Sequence, residues 1–479
     1  MGRRLVLITL LILVVVGLGF VLLSGTSAPT ARLAQPIELV GRSTPLAVEL
    51  EAGRAGLRSW EIFARKPDGS ETLVAEERFP RSTFLGSGVS RRSAQTTLDA
   101  KTLGLPEGTS TLVVYADDYA PLGWLRSRAP RLEIPVAVDL TPPRIEVQGG
   151  QHYVYQGGSD LVVYEVSEDA VGSGIAVGSR EFPGVHPRGA PPSVRVVLYA
   201  LPHDADLEAA PRVTAVDAAG NRRFVNFPVE VRRRAYPAEE ILVSDSFVRT
   251  KIQPILESHE IAVPEDPVDA FLRVNREMRR SSEEQLQELN ATSDPDLRIT
   301  TAFRQQPGTQ VGSRFAEHRT YRYNDRVVDE QTHLGYDLAS VKQAPVLAAE
   351  AGTVRGVLDL GIYGNVVVLD HGLGLASLYA HLSSTSVEPG ATVAAGDEIG
   401  KSGETGLAAG DHLHFSILVG GHHVDPIEWW DPKWVSLHVL EPLAEARGVP
   451  ADASAATAPA ADPAAAAPPA ATSAPAAAP

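Results

Sequence analysis

Short runs of alternating apolar and polar residues, cut at close intervals by Gly, Pro and Asp, predict a mainly β chain made of several domains. Three observations carry that prediction. Strand-like patterning fills Pro36 to about Val231 and returns from Arg298 to about Trp434. One stretch between them, residues 238–290, changes to a helical period. The two ends fit neither class, since Leu5 to Leu23 is an uncharged apolar run and the chain beyond Gly448 is almost all Ala, Pro, Ser and Thr. At 479 residues no single core serves the whole chain, and 41 Gly with 36 Pro supply the many turns.

Arg3 and Arg4 precede the apolar run. About 19 residues rising about 1.5 Å each just cross a bilayer core of about 30 Å. Residues 1–30 therefore read as a cytoplasmic stub and transmembrane signal anchor, in the lipid bilayer through residues 5–23, with the rest of the chain outside the cytoplasm. A cleaved signal peptide competes, but its apolar core spans about 7–15 residues, and a cut after Ala28 would leave Pro29 first.

Cysteine is absent, which excludes a lipidated N-terminus, disulfides, a thiol nucleophile and thiolate–metal sites together. Any metal must then use His and carboxylate ligands. A formal charge of -16 argues against a nucleic-acid partner, whose footprint is basic.

In residues 36–140 the alternations Leu46–Leu50, Trp60–Ala64, Leu112–Tyr115 and Leu132–Val138, with a turn at Pro67-Asp68-Gly69, predict a β-sandwich. A second copy is expected over 141–234. There Arg212–Asp217 lines up with Leu112–Asp117, and Phe227–Val231 echoes Ile134–Val138. Leu140-Thr141-Pro142-Pro143 marks the boundary, and Asp217-Ala218-Ala219-Gly220-Asn221 reads as a hairpin turn. The length of each unit suggests immunoglobulin-like domains, acting as spacers or as docking platforms for envelope protein partners. Residues 238–290 read as a helical connector. Asp245 or Ser246 is the expected first cap, Pro254 the expected kink or end, Asp266-Pro267 the second start, and Ser281-x-x-Glu284 a restart. The connector either links domains or packs across the groove of the next one. The 448–479 tail lacks the bulky apolar surface that offsets ordering entropy and is expected to be disordered.

Chemistry concentrates in 291–440. On a strand, His412 and His414 of Gly410-Asp411-His412-Leu413-His414-Phe415 share one face. Neutral imidazole is the commonest protein ligand for zinc, and a catalytic zinc site takes three protein ligands and keeps one position open. His333 and Asp337 of His333-Leu334-Gly335-Tyr336-Asp337 complete such a set with His414. His412 and His381, from Tyr379-Ala380-His381-Leu382, are left for proton transfer or charge stabilisation.

The order of these pieces, with Gly361-Ile362-Tyr363-Gly364-Asn365, Leu369-Asp370-His371-Gly372 and Gly403-Glu404-Thr405-Gly406 between them, resembles the lysostaphin-type (LytM-domain) zinc endopeptidases. Those enzymes cut peptide cross-links of bacterial cell walls. The likeness covers about Arg298 to Trp430. It implies a β-rich peptidase domain with one Zn2+ per chain on His333, Asp337 and His414; together with the N-terminal anchor, the expectation is a single-pass protein of the bacterial cell membrane. His412 and His381 then act on the water and the intermediate, His412 assigned as general base and His381 as oxyanion stabiliser with the reverse order left open, and peptidoglycan stem peptides or cross-bridges are the substrate. Relatives lacking ligands act as noncatalytic regulators of other wall hydrolases, the alternative function here; in this chain all five positions are filled. His371 is expected to be structural, and His422 and His423, after Gly420-Gly421, to sit at a hairpin tip. Asn365 and Tyr363 read either as groove-lining residues or as turn residues. A biotinyl- or lipoyl-type carrier is excluded: its modified Lys typically sits beside Met, and only Met1 and Met278 exist.

Overall fold

A computed structural model describes residues 2–24, 27–82, 86–120, 128–208 and 210–448. The expected disordered tail lies outside these residues from 449 onward. At the other end Gly2–Ser24 is a helix with apolar side chains exposed from Val6 to Leu18. Among the described residues no helix is long and apolar enough to cross a membrane. The expected anchor, Leu5–Leu23, extends at both ends past the side chains described.

The chain divides into two compact units, one holding 1–146, 166–173 and 213–226, the other 147–165, 174–212 and 227–479. The expected second sandwich, 141–234, is thus shared between them. In the first unit a five-stranded sheet contains Leu57–Arg65, Glu71–Arg78, Gly108–Asp118 and Leu132–Val138, and a three-stranded sheet contains Thr44–Glu51 and Arg91–Leu98. The expected alternation is real: Leu46, Val48 and Leu50 from one sheet, with Trp60, Ile62, Leu112 and Val114 from the other, form one core. The predicted turn after Arg212–Asp217 also forms, with Asp217 Oδ1 accepting the Asn221 N–H at 2.8 Å and Gly220 at φ +81°.

The second unit is built on an eight-stranded sheet. Its path runs Gln310–Ser313, Tyr336–Ala339, Leu413–Val419, Leu375–Ala380, Asn365–Gly372, Gly352–Asp359 and Thr392–Val393, while His422–Val424 folds back on Leu413–Val419. Leu413–Val419 is buried throughout, so His414 and its neighbours on both faces of the strand lie inside. A separate three-stranded sheet pairs Ala238–Leu242 in parallel with Glu317–Tyr323, which pairs antiparallel with Arg326–His333.

Several details of the connector differ from expectation. Ala238–Leu242 is a strand. The first cap is Ser244, whose Oγ accepts the Phe247 N–H, because the helix starts one residue earlier than Asp245 or Ser246 would allow. Pro254 does not break the helix. It follows a wider π turn, Val248–Ile252, and sits in the first turn of Gln253–Ser258, where a missing N–H costs little. Asp266 caps with Pro267 behind it, as expected. Ser281 restarts nothing: Arg279–Leu289 continues directly from Arg273–Met278. The helices are more than a link, since Ile252, Phe271, Val274, Met278 and Leu286 share a core with Tyr363, Val366, Val368, Leu378 and Leu418 of the sheet region. Phe271 is fully buried, and its truncation to Ala is worth about 3–5 kcal/mol.

Candidate metal centre

Strand register assembles the centre. Asp337 stands opposite His414 in the antiparallel pair Tyr336–Ala339 with Leu413–Val419, so both side chains leave the same face. On the other edge of Leu413–Val419, Ala380 pairs with His414, which delivers His381 one residue later. His333 ends the preceding strand and reaches Asp337 across Leu334-Gly335. Gly335 is required by closeness: a Cβ there would lie 2.5 Å from Ser416 Oγ and 2.6 Å from His414 Nε2.

His333 Nε2 lies 3.0 Å from Asp337 Oδ1 and 3.0 Å from His414 Nδ1, and His414 Nδ1 is 2.9 Å from Asp337 Oδ1. One donor atom from each residue falls within 4.8 Å of the others, an arrangement that could hold a metal ion. The opposite atom of each is already engaged. His333 Nδ1 meets Arg314 O at 2.9 Å, His414 Nε2 meets Ser416 Oγ at 3.0 Å, and Asp337 Oδ2 pairs with Arg319 at 3.3 Å. Such outer bonds orient ligands and select the tautomer. Two nitrogens and a carboxylate oxygen suit zinc, and no Cys competes.

The two remaining histidines flank the group. Their rings are 4.8 Å apart, and His381 is 5.7 Å from the His414 ring. His412 Nδ1 bonds Gly410 O at 2.8 Å, and His381 Nδ1 bonds Thr405 O at 2.8 Å. A carbonyl only accepts, so each carries its proton on Nδ1 and offers the Nε2 lone pair. His412 Nε2 lies 3.4 Å from Asp337 Oδ1. His381 sits at φ +60°, uncommon for a side-chain-bearing residue and held by its backbone N–H bond to Tyr363 O.

Burial, then the neighbouring His412, pushes His381 down to about 3. Burial pushes His414 down to about 4 against the pull of Asp337. For His412 burial is outweighed by its bond to Asp337, and its pKa rises. Burial likewise opposes ionisation of Asp337, yet His333 and the other imidazoles hold it well below the usual carboxylate range.

The other expectations resolve individually. His371 is fully buried, bonded to Ala351 O and Ser377 Oγ, and down to about 4 through burial, which fits a structural residue. His422 and His423 follow the Gly420-Gly421 turn of a hairpin. Tyr363 lies in a short 3-10 turn under the helices, its Oη donating to Glu283 at 2.6 Å, while its ring is 5.3 Å from His414. Asn365 begins a strand, and its Nδ2 donates to Leu382 O at 3.1 Å. Sequence reasoning missed Arg319, which lies on the strand Glu317–Tyr323. The alternation Glu317, Arg319, Tyr321 was the available signal, but it becomes informative only once Glu317 is known to pair with His333.

Fold and site thus define a β-sheet domain of the metallopeptidase class. Residues 331–426 match Peptidase family M23, and the chain carries a domain of that lysostaphin-type (LytM) family. The DD-carboxypeptidase/endopeptidase Mpg of Neisseria meningitidis serogroup B (strain ATCC 13091 / M2091) is 35% identical over 119 residues, covering 25% of this chain and 26% of Mpg. The peptidoglycan DD-endopeptidase ShyA of Vibrio cholerae serotype O1 is 34% identical over 119 residues, covering 25% and 27%. The solved catalytic domain of lysostaphin from Staphylococcus simulans is 27% identical, covering 26% of this chain and 92% of that one, with a TM-score of 0.22. The chain spans about a quarter of the length of the curated relatives it matches.

Proposed function

We propose that this chain is a zinc endopeptidase that hydrolyses peptide cross-links of bacterial peptidoglycan. The carrying observation is the meeting of His333 Nε2, Asp337 Oδ1 and His414 Nδ1 within one coordination sphere, with His381 and His412 beside it. Zinc supplies Lewis acidity toward the scissile carbonyl and brings the pKa of a water it holds down to about 7. His333, Asp337 and His414 hold that ion, one per chain. His412 takes the proton from the attacking water at Nε2, and Asp337 steadies the imidazolium formed. His381 faces the developing oxyanion. Since its Nδ1–H is committed to Thr405 O and burial holds the resting ring neutral, it donates from Nε2 only on taking up a proton as the oxyanion forms.

Mpg and ShyA are both named for DD-endopeptidase activity, so the D,D cross-link is the first bond to test. The N-terminal segment anchors the protein in the bacterial membrane as a single pass, with the bulk of the chain extracytoplasmic. The β-sandwich regions are immunoglobulin-like spacers or docking platforms.

Incubating residues 32–448 with purified peptidoglycans of different cross-link chemistry, followed by mass spectrometry of the fragments, tests this reading. His414→Ala should lose both zinc and hydrolysis. His381→Ala and His412→Ala should keep zinc and lose about 100- to 10,000-fold in rate. Full wall hydrolysis by the zinc-retaining variants would remove His381 and His412 from the mechanism, and none by the wild type leaves the noncatalytic regulator as the better reading.

A further inference from the structure

The turn at residues 314–316, between the strands Gln310–Ser313 and Glu317–Tyr323, grips His333 at two points. Arg314 O accepts from His333 Nδ1 at 2.9 Å, and the Ala316 N–H donates to His333 O at 2.7 Å. A carbonyl only accepts, so the first bond puts the imidazole proton on Nδ1 and leaves the Nε2 lone pair facing Asp337 and His414. Ala316 stands at φ +57°, left-handed backbone that a side-chain-bearing residue keeps only where its surroundings hold it.

Phe315, between the two gripping residues, is 1% exposed and fills a socket built by an earlier part of the same unit. Its ring meets Tyr236 edge-on at 5.9 Å and His203 at 6.3 Å between centroids. Gly157 closes the third side. At φ +76°, a Cβ there would lie 2.7 Å from Phe315 Cε1 and would also collide with Tyr236 Oη. The socket is itself fastened to the peptidase region. Tyr236 Oη donates to Gln156 O, and Gly157 O accepts the Asp425 N–H at 2.7 Å. Arg234 reaches Asp425 Oδ2 at 2.8 Å and Glu428 Oε1 at 3.2 Å, while the His318 N–H donates to Pro237 O at 2.9 Å. Gly157 and His203 belong to the stretch 141–234, which the sequence reads as a separate domain, and Tyr236 follows directly after it.

We propose that the socket of Gly157, His203 and Tyr236 seats Phe315 so that the 314–316 turn fixes the tautomer and aim of the zinc ligand His333. Phe315 is then a positioning residue of the metal centre, and this part of the second β-sandwich region is more than a spacer. The role presupposes the zinc ion proposed above and acts on it through His333.

Chelator competition for zinc on the full chain, with the visible absorption of the cobalt-loaded protein as a second readout, tests this. Phe315→Ala empties the socket and frees the turn, so zinc affinity should fall about 10- to 100-fold and the cobalt bands should shift, while Phe315→Leu recovers part of the affinity. Tyr236→Ala, on the opposite wall, should act in the same direction, and Tyr236→Phe, which keeps the ring, should retain most of the affinity. Phe315→Leu and Tyr236→Ala decide the matter if the larger void of Phe315→Ala prevents folding. Leu443→Ala, a buried truncation on helix Glu441–Ala446, should lower the melting temperature with both metal readouts unchanged, which separates positioning from lost stability. Wild-type zinc affinity and cobalt bands in the Phe315 and Tyr236 variants overturn the positioning role and leave the metal centre standing. No zinc on the wild type removes the metal centre itself, and the role with it.

Discussion

Replacing Glu283 by Gln tests how the helices are fastened to the catalytic sheet. Glu283 accepts from Tyr363 Oη at 2.6 Å and meets His423 Nε2 at 3.0 Å, tying helix Arg279–Leu289 to a 3-10 turn and a strand at once. Burial opposes its ionisation, but His423 and Tyr363 lower its pKa from 4.5 to about 2. The folded value lies below the unfolded one, so the ionised carboxylate stabilises the fold above about pH 4.5, and that contribution is lost as pH falls through about 2. A shift of that size corresponds to about 3 kcal/mol at pH 7 and about 1 kcal/mol at pH 3. The Glu283 side chain is 23% exposed, so solvent screens this pair less than a surface one. Urea unfolding of wild type and Glu283→Gln at both pH values is the assay. The stability gap between them should shrink by about 2 kcal/mol on acidification. A gap independent of pH would show that Glu283 fastens the helix by shape rather than by charge, and the argument would fail.

Other substitutions probe the metal centre. Gly335→Ala drives a methyl into Ser416 Oγ and His414 Nε2, so it should cost about 1–3 kcal/mol of stability and displace a ligand; chelator competition should report weaker zinc binding, and unchanged affinity would refute the packing argument. Arg319→Ala frees Asp337 Oδ2, and zinc affinity should fall about 10- to 100-fold while Arg319→Lys recovers part of it. His371→Phe removes bonds to Ala351 O and Ser377 Oγ, so it should lower the melting temperature without removing zinc, in contrast to His414→Ala.

The donors of the metal centre could be read in the chain because they are constrained at short range. His412 and His414 occupy one strand face through a two-residue period, and His333 and Asp337 sit at either end of a single turn. The strands of the first β region were legible for the same reason, since Thr44–Glu51 and Leu57–Arg65 alternate buried and less buried positions residue by residue. The cap at Asp266 likewise depends on neighbours within three residues. The helices were harder. Pro254 reads as a break locally, yet a preceding π turn and a core shared with Val366 and Leu418 absorb it.

By itself, then, the chain determined which side chains are competent to hold a metal, which stretches alternate and which do not, and that cysteine chemistry is absent. Tertiary structure alone decided that Arg319 grips the far oxygen of Asp337, that Glu283 reaches Tyr363 and His423, and that Asp160 gathers His152 and His438 from opposite ends of its unit. The reason is physical. Periodicity records the face on which a residue lies, whereas a contact between distant strands depends on pairing and register, which are set by the packing of the whole unit.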